Sequence, residues 1–331
     1  MYEIAKKIHS ESIVFDAHLD LGGIIYNNRV KGKKEVLNEL FLEDFRKIGV
    51  KFVIAAIFVE SDVVEMALKR GLLQIEAIKS DIKECEDFML VRDSKDMEKS
   101  IRENKIGLIL SLEGLEPIHK ELELLNTFYE LGVRGFGVTW ARRNLVADGS
   151  YFRYPEEGVL GGLTPFGIQV MKRAEEIGYF IDVSHINDVG FDDVFKYTKS
   201  SIIASHSNAR EVNKMPRNLS DDQIRKIASR NGVIGVNAYT EIVSQNKDEQ
   251  NIIKLCDHID HLVKISSDKN VGFGFDLCTK YYDNGRIQDV LKSHEDVILI
   301  TEELLKRNYS EESIKNIIGL NFYDYILKAL N

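Results

Sequence analysis

Five side chains in this sequence, two acids and three imidazoles, have the chemistry of metal ligands. His18 and Asp20 lie two residues apart, and in extended backbone such side chains point to the same side and can bind one cation together. Glu113 follows the apolar segment IGLILSL, and a carboxylate can bridge two metal ions about 3.5 to 4 Å apart. His185 and His206 would complete a second ion site. This donor set favours two Zn²⁺ ions, with Mn²⁺ or Co²⁺ as alternatives.

Each of these residues has a simpler interpretation when it is taken alone. A histidine after a strand is often a hydrogen-bonded loop residue, and an acid such as Asp20 or Glu113 can cap the following helix. Their shared placement at the C-terminal ends of predicted strands, which Asp276 also has, favours a metal site. The other histidines lie in the terminal segment or in helical stretches and are interpreted as structural: His9, His119, His258, His261 and His294.

Eight short apolar segments, each followed by a longer stretch with helical spacing, predict the elements that position these residues. The predicted strands are residues 12–16, 51–58, 106–112, 133–139, 179–184, 201–205, 233–237 and 271–275. Eight alternations favour an α/β fold of the (β/α)₈ barrel (TIM barrel) type, in which the C-terminal ends of the strands form the active-site face. A doubly wound open sheet would give a similar pattern and is the alternative.

The intervening helices carry recognisable signals at their ends. Thr164 and Pro165 predict a helix start, and Gly178 predicts the end of the same helix. Ser220 and Gln223 have the spacing of a capping box. Further helices are predicted for residues 120–131, 187–198, 252–265 and 294–307.

Composition narrows the class of protein. The 331 residues are 44% hydrophobic and 29% charged, and with no linker-like segment they predict one globular domain covering 1–331. A formal net charge of −9 argues against a nucleic-acid partner, because such binding depends on Lys and Arg neutralising phosphates. No segment resembles a signal peptide or a membrane span, which predicts a cytoplasmic protein without a membrane partner. Three separated cysteines predict reduced, packed thiols: Cys85, Cys256 and Cys278.

Seven ordered motifs resemble those of the membrane (renal) dipeptidase family. They are DAHLD, SLEG, DVSH, SHSNAREVNKMPRNLSDDQI, GVIGVNAY, VGFGFD and GLNFYDYI. The resemblance extends from about Val14 to Leu327, nearly the whole chain. The resemblance implies a metallo-dependent hydrolase barrel of the amidohydrolase type that forms a homodimer. It also implies hydrolysis of dipeptides, a small peptide substrate, often with tolerance for a D-residue at the C-terminal position.

The resemblance also implies roles for single residues. His18 and Asp20 would bind the first zinc and His185 and His206 the second, with Glu113 bridging the two ions. Asp276 could transfer a proton between the attacking water and the leaving amine. Arg217 could bind the substrate carboxylate. Asn218 and Tyr239 are further predicted substrate-binding residues. Without the motif, Arg217 would be interpreted as a surface arginine.

Two positions depart from the family pattern. The histidine of the fourth strand is matched by Trp140, a predicted substrate-binding residue that donates one N–H but cannot accept a proton. The second acid of the family's DFD pattern is matched by Cys278. The five ligand positions are intact, which favours a catalytic site.

The predicted mechanism is attack on the amide carbonyl by a hydroxide shared between two zinc ions, with Glu113 and Asp276 as catalytic residues. A first alternative is a related metal-dependent amidohydrolase acting on another carboxylate-bearing amide, such as an N-acyl amino acid, or on a lactone. A second alternative is a metal-binding or scaffold protein with weak turnover. An intact ligand set favours catalysis, and Arg217 favours substrates with a free carboxylate.

Overall fold

Parallel strands that are buried on both faces have nearly continuous apolar sequences, and the strands of this chain follow that rule. The computed structural model describes residues 1–151, 161–281 and 288–331. The strands are β1 (Val14–Leu19), β2 (Val50–Phe58), β3 (Phe88–Leu90), β4 (Ile106–Glu113), β5 (Val133–Gly137), β6 (Phe180–Asp182), β7 (Ile202–Ile203), β8 (Ile234–Val236) and β9 (Val271–Phe273).

The sheet closes into a barrel of eight parallel strands. Pairing follows the order β7-β6-β5-β4-β2-β1-β9-β8, and a parallel bridge between Ala204 and Ile234 joins the two ends. This closure confirms the barrel and excludes the open doubly wound sheet. The sequence did not predict the three-residue strand β3, which lies outside the barrel path and pairs with the N-terminal part of β4.

Helices cover the barrel between successive strands. The α-helices are α1 (Tyr2–Ser10), α2 (Leu21–Val30), α3 (Glu43–Ile48), α4 (Ala67–Glu84), α5 (Ser94–Arg102), α6 (Leu124–Glu130), α7 (Pro165–Ile177), α8 (Asp188–Tyr197), α9 (Asp221–Ser229), α10 (Thr240–Val243), α11 (Ile252–Ile265), α12 (Val297–Lys306), α13 (Glu311–Lys315) and α14 (Asn321–Ala329). Short 3₁₀ turns are Ser61–Met66, Glu116–Ile118, Lys247–Glu249, Asp268–Asn270 and His294–Asp296, and π-helical turns are Asn38–Leu42 and Asn316–Leu320.

The predicted helix ends are confirmed by their hydrogen bonds. The Thr164 hydroxyl accepts the Gly167 N–H at the start of α7, and α7 ends at Gly178 in the left-handed region (φ 97°). Ser220 and Gln223 form both bonds of the capping box at α9. The helix predicted for residues 120–131 is shorter, because α6 begins only at Leu124.

Aromatic side chains close the end of the barrel where the strands begin. Phe15 lies between Phe52 and Phe322 of α14, with each pair of ring centroids 5.7 Å apart. All three rings are fully buried. The polar residues that follow the strands therefore collect at the opposite, C-terminal end of the barrel, where active sites of this fold lie.

The structure also describes the three cysteines and the apolar character of the helices. Cys85, Cys256 and Cys278 are free thiols and buried, as predicted. In the described ranges, no helix combines the length and the apolar character that crossing a membrane requires.

Candidate metal centre and active site

A bulge in β1 presents the first two candidate ligands. Asp16 pairs with Val53 and Leu19 with Ala55, so three steps along β1 match two steps along β2. Asp20 follows the strand in a non-extended conformation (φ −68°, ψ 42°) at the start of α2. His18 Nε2 and Asp20 Oδ1 nevertheless lie 3.7 Å apart. The expected proximity is present, but the bulge and the helix start produce it rather than a continuous extended strand.

Glu113, the last residue of β4, lies at the centre of the cluster. Its Oε2 is 3.5 Å from His18 Nε2. Its Oε1 is 3.1 Å from His185 Nε2 and 3.7 Å from His206 Nε2. The two oxygens of one carboxylate thus face two different groups of ligands, as a bridging ligand must.

His185 and His206 approach from the ends of β6 and β7. Their Nε2 atoms are 2.8 Å apart, and both rings are buried. His185 has a positive φ of 66°, and Asp276, which follows β9, has a φ of 56°. Residues with such conformations are enriched at functional sites, where the surrounding structure maintains them.

Asp276 completes the cluster on the side of β1. Its Oδ1 lies 3.9 Å from His18 Nε2, and its backbone N–H donates to the His18 carbonyl at 3.1 Å. Asn237 Nδ2 donates to Asp276 Oδ2 at 3.3 Å. The thiol of Cys278 lies 3.7 Å from Asp276 Oδ1. Asp276 is therefore held by contacts with two other segments of the chain and with Cys278 of its own segment.

The cluster offers two groups of three donors that fit divalent cations. The first donor group is His18, Asp20 and Asp276, and the second is Glu113, His185 and His206; the donor atoms of each group lie within 4.8 Å of one another. A third group, His18, Asp182 and His206, meets the same distance criterion but takes two of its three residues from the first two groups. Imidazole and carboxylate donors are those that zinc and similar ions use.

The shifted pKa values in the cluster also indicate a site for divalent cations. Burial raises the pKa of Glu113 and of Asp276, and the neighbouring Asp20 carboxylate raises both further. Burial lowers the pKa of His185 and His206, with Arg217 and His18 contributing. Neutral imidazoles and mutually repelling carboxylates in a buried site form an environment that divalent cations would stabilise.

Hydrogen bonds from His206 through Ser205 to the buried Asp182 determine the tautomer of His206. Asp182 Oδ1 accepts the N–H groups of Ser184 (2.8 Å) and Ser205 (2.9 Å), and its Oδ2 accepts the Ser205 hydroxyl. Because that hydroxyl donates to Asp182, His206 Nδ1, 2.7 Å from Ser205 Oγ, must be the donor in this pair. The lone pair of His206 is then on Nε2, which faces the cluster.

Arg217 is a buried cation next to the cluster, with 2% of its surface exposed. Its Nη1 donates to Ser207 Oγ and its Nη2 to the His206 carbonyl, both at 2.7 Å. Its Nε has no hydrogen-bond partner among the described residues. Burial lowers its pKa to about 10, and Asp276 is the main acid that opposes this effect. The alternative interpretation of Arg217 as a surface arginine is therefore wrong, and the guanidinium has hydrogen-bonding capacity left for a ligand.

Trp140 packs beside the cluster. Its ring centroid is 5.8 Å from that of His185 and 5.2 Å from that of Phe58. The Arg142 guanidinium lies over both rings, 5.3 Å from Trp140 and 5.7 Å from Phe58. Arg142 Nε in turn is 2.9 Å from the buried Glu116 carboxylate. Phe58 and Trp140 together form an aromatic wall next to the second group of donors.

The two remaining predicted substrate-binding residues differ in placement. Tyr239 donates its backbone N–H to Asn237 Oδ1 at 2.6 Å, and Asn237 also contacts Asp276, so Tyr239 lies next to the cluster. Asn218 is fully buried, and its amide donates to the carbonyls of Asn213 (2.9 Å) and Ile242 (3.1 Å). These contacts connect loops, and none of the hydrogen bonds described for Asn218 reaches a candidate ligand.

Sequence reasoning missed the residues that support the ligands. Asp16 and Asp182 precede His18 and His185 in the motifs DAHLD and DVSH, which is the one signal that could have indicated them. The structure pairs Asp16 with His294, a residue that the sequence suggested was merely structural.

A parallel eight-stranded barrel with imidazole and carboxylate side chains clustered at its carboxyl end is typical of metal-dependent hydrolases. Within that class, the sequence profile of the membrane dipeptidase family (peptidase family M19) matches residues 2–329. The chain belongs to this family, which confirms the resemblance seen in its motifs.

Curated relatives carry dipeptidase names. Dipeptidase verJ of Clonostachys rogersoniana is 30% identical over 256 residues, which are 77% of this chain and 64% of that protein. Dipeptidase 3 of Homo sapiens is 26% identical over 319 residues, 92% of this chain and 63% of that protein. The chain thus matches less than two thirds of the length of either relative.

Solved structures share the fold over nearly the whole chain. The metallopeptidase of Rhodobacter sphaeroides, which was solved with a phosphinate mimic of the dipeptide L-Ala-D-Ala, has a TM-score of 0.85 at 23% identity and covers 97% of this chain and 100% of that one. The probable dipeptidase PvdM of Pseudomonas aeruginosa has a TM-score of 0.84 at 20% identity, with 99% and 98% covered. At these identities the likeness confirms the barrel fold.

Proposed function

We propose that this chain is a metal-dependent dipeptidase, a single hydrolase domain that cleaves the peptide bond of small substrates with a free C-terminal carboxylate. Its membership of the membrane dipeptidase family and the dipeptidase names of its relatives support this activity. The dipeptide mimic bound to the Rhodobacter sphaeroides metallopeptidase supports the substrate class. Tolerance for a C-terminal D-residue is part of the proposal.

The observation that carries the proposal is the buried Arg217 beside the donor cluster. A buried cation is stable only when it is paired or hydrogen-bonded, and the Nε of this guanidinium has no partner in the described parts of the chain. A planar guanidinium binds a carboxylate through two parallel hydrogen bonds. A substrate carboxylate on Arg217 would place the adjacent peptide bond near the metal cluster.

The proposed ligands are His18 and Asp20 for the first ion and His185 and His206 for the second, with Glu113 bridging. Two bound divalent ions, proposed to be zinc, would lower the pKa of an attacking water and polarise the scissile carbonyl. Asp276 lies within 3.9 Å of His18 Nε2 and can accept the proton of the water and pass it to the departing amine. Asn237 holds Asp276 in place through its side-chain amide.

The aromatic wall of Phe58 and Trp140 is proposed to contact the substrate side chain. Tryptophan and phenylalanine rings offer apolar surface and no proton acceptor. The Arg142 guanidinium stacked on both rings fixes their orientation. Substrates with an apolar side chain on this side of the peptide bond should therefore be preferred over glycine.

A substrate panel tests the proposal. The purified protein, supplied with Zn²⁺, is assayed on L-L, L-D and glycine-containing dipeptides, on dipeptide amides, on N-acyl amino acids and on a lactone. We expect turnover of dipeptides and much slower turnover of the amides, and Trp140→Ala should reduce the preference for apolar side chains over glycine. Turnover confined to N-acyl amino acids or the lactone would replace the dipeptidase activity with a related hydrolase activity. A protein that binds metal but turns over nothing in the panel would favour the scaffold alternative.

The cytoplasmic location and the homodimer remain predictions.

A further inference from the structure

We propose that Asp16 and His294, which we call the clamp, are positioning residues that set the affinity of the first metal site. The inference rests on the proposed metal centre, because it concerns the segments that present His18 and Asp276. Neither clamp residue belongs to any of the three donor groups found among the described residues. The clamp acts through the backbone of the segments that carry those donors.

Asp16 connects the two segments of the first donor group. Its Oδ1 accepts the N–H groups of His18 (3.2 Å) and of Phe275 (3.0 Å), which belong to β1 and to the segment after β9. Phe275 immediately precedes Asp276 in the chain. One carboxylate oxygen therefore fixes the backbone at one candidate metal ligand and next to another.

His294 occupies the other oxygen of Asp16. Its Nε2 lies 2.8 Å from Asp16 Oδ2, and because a carboxylate only accepts, the imidazole N–H is the donor. His294 is fully buried, its ring packs edge-on against Phe45 at 4.8 Å, and the Tyr281 hydroxyl lies 3.4 Å from its Nδ1. The histidine thus has a fixed position at the start of the 3₁₀ turn before α12.

The clamp matters because β1 is irregular where it presents its ligand. The bulge between Asp16 and Leu19 leaves this part of the strand with fewer regular pairing bonds to β2. β1 and β9 are registered with each other through Asp16 and Phe273. Side-chain hydrogen bonds to Asp16 therefore replace backbone hydrogen bonds between the strands at the point where His18 turns toward the cluster. Loss of the His294 donor would leave the buried Asp16 carboxylate less well satisfied and free to shift, and His18 would shift with it.

Metal binding measured beside a matched control tests the clamp. His294→Phe keeps a ring but removes the imidazole donor, and His258→Phe makes the same change at another fully buried histidine, which is hydrogen-bonded to the Val243 carbonyl and to the Ala209 N–H. Zn²⁺ affinity is measured by competition with a chelator, and the melting temperature is recorded for each protein. Each variant is also made in a His185→Ala background, in which the first donor group is the intact one.

We expect His294→Phe to weaken zinc binding at the first site about 10- to 100-fold, the range found for supporting residues of metal sites, while His258→Phe changes only the melting temperature. Asp16→Asn keeps an acceptor oxygen for the two backbone N–H groups but loses the acceptor for His294, so it should show the same selective loss if His294→Phe fails to fold. Wild-type zinc affinity in His294→Phe or in Asp16→Asn would overturn the clamp and leave the metal centre standing. A wild-type protein that binds no zinc would overturn the metal centre, and the clamp with it.

Discussion

Glu113 differs from the other candidate ligands in that its two oxygens face different donor groups. We therefore predict that Glu113→Gln lowers kcat/KM more than His185→Ala or His206→Ala, because the neutral amide removes negative charge from both ion sites. The histidine variants should lose mainly the second ion. Steady-state assays together with elemental analysis of each purified variant measure both effects. A Glu113→Gln enzyme with near-normal activity and two ions would show that this carboxylate does not bridge.

Arg217 should distinguish substrates by their carboxylate. We predict that Arg217→Ala raises the barrier for a dipeptide by roughly 2 to 5 kcal/mol, the range for removing one member of a buried charge pair. The corresponding dipeptide amide should be affected much less, and Arg217→Lys should recover only part of the loss, because a lysine cannot form the two-point contact. Measuring kcat/KM for the acid and the amide decides the question.

Arg225 offers a control for this experiment. It lies in α9, its side chain is 59% exposed, and its Nη2 is 3.8 Å from Asp221 Oδ2. Arg225→Ala should change kcat/KM for the acid and the amide by the same small factor. Equal losses on both substrates in Arg217→Ala would remove its role as the carboxylate anchor.

Single residues were predictable where a short segment of sequence contains the whole signal. Four candidate ligands lie at or just after the C-terminal ends of apolar strands, and the structure brings them together: His18, Glu113, His185 and His206. The partner of Asp16 was not predictable, because His294 lies 278 positions away and its burial depends on the packed barrel. The contacts of the Asn218 amide were not predictable for the same reason, since the carbonyls that it contacts come from separate loops. Its predicted role in substrate binding stays a prediction.

At the scale of elements, all eight barrel strands were predicted, because buried parallel strands are apolar throughout and differ from the amphipathic helices between them. Their ends were less predictable. β1 extends to Leu19 and includes a bulge, whereas the apolar pattern ends earlier, at Asp16. A bulge is set by pairing with a neighbouring strand, and that pairing leaves no signal in the sequence of β1 itself. The short strand β3 carries too few residues for a period-2 pattern.

Helix α14 should contribute to stability and not to catalysis. Phe322 packs against Phe15 at the closed end of the barrel, and a Cβ added at Gly272 would clash with the Phe322 ring, so the fit is tight. We predict that Phe322→Ala lowers the free energy of unfolding by about 3 to 5 kcal/mol, the usual effect of emptying a buried aromatic site. Urea unfolding measures this change.

The control for α14 is Leu299→Ala in α12, a side chain that is 38% exposed. It should change the free energy of unfolding by no more than about 0.5 kcal/mol. Both folded variants should keep kcat/KM within a small factor of wild type, because α14 packs at the end of the barrel opposite the metal cluster. A folded Phe322→Ala protein with strongly reduced kcat/KM would contradict this separation of stability and catalysis.

At the scale of the whole molecule, the barrel brings together donors that are far apart in sequence. His18 lies in β1 and Asp276 follows the neighbouring strand β9. Their side chains lie 3.9 Å apart although the two residues are at opposite ends of the sequence. The unfolded chain has no such arrangement. Ions that bind the assembled cluster therefore bind the folded state far better than the unfolded state.

Metal binding should consequently stabilise the entire fold. By mass action, each ion adds about 2.7 kcal/mol at a free concentration one hundred times its Kd, and the melting temperature should rise by several degrees when Zn²⁺ is added to chelator-treated protein. Two ions give two contributions, and His206→Ala should retain the one that belongs to His18 and Asp20. Glu113→Gln should diminish both, because it faces both donor groups. Differential scanning calorimetry across a zinc titration measures these shifts. A melting temperature that does not respond to zinc in the wild-type protein, while the fold is intact by circular dichroism, would mean that the cluster is not a metal site.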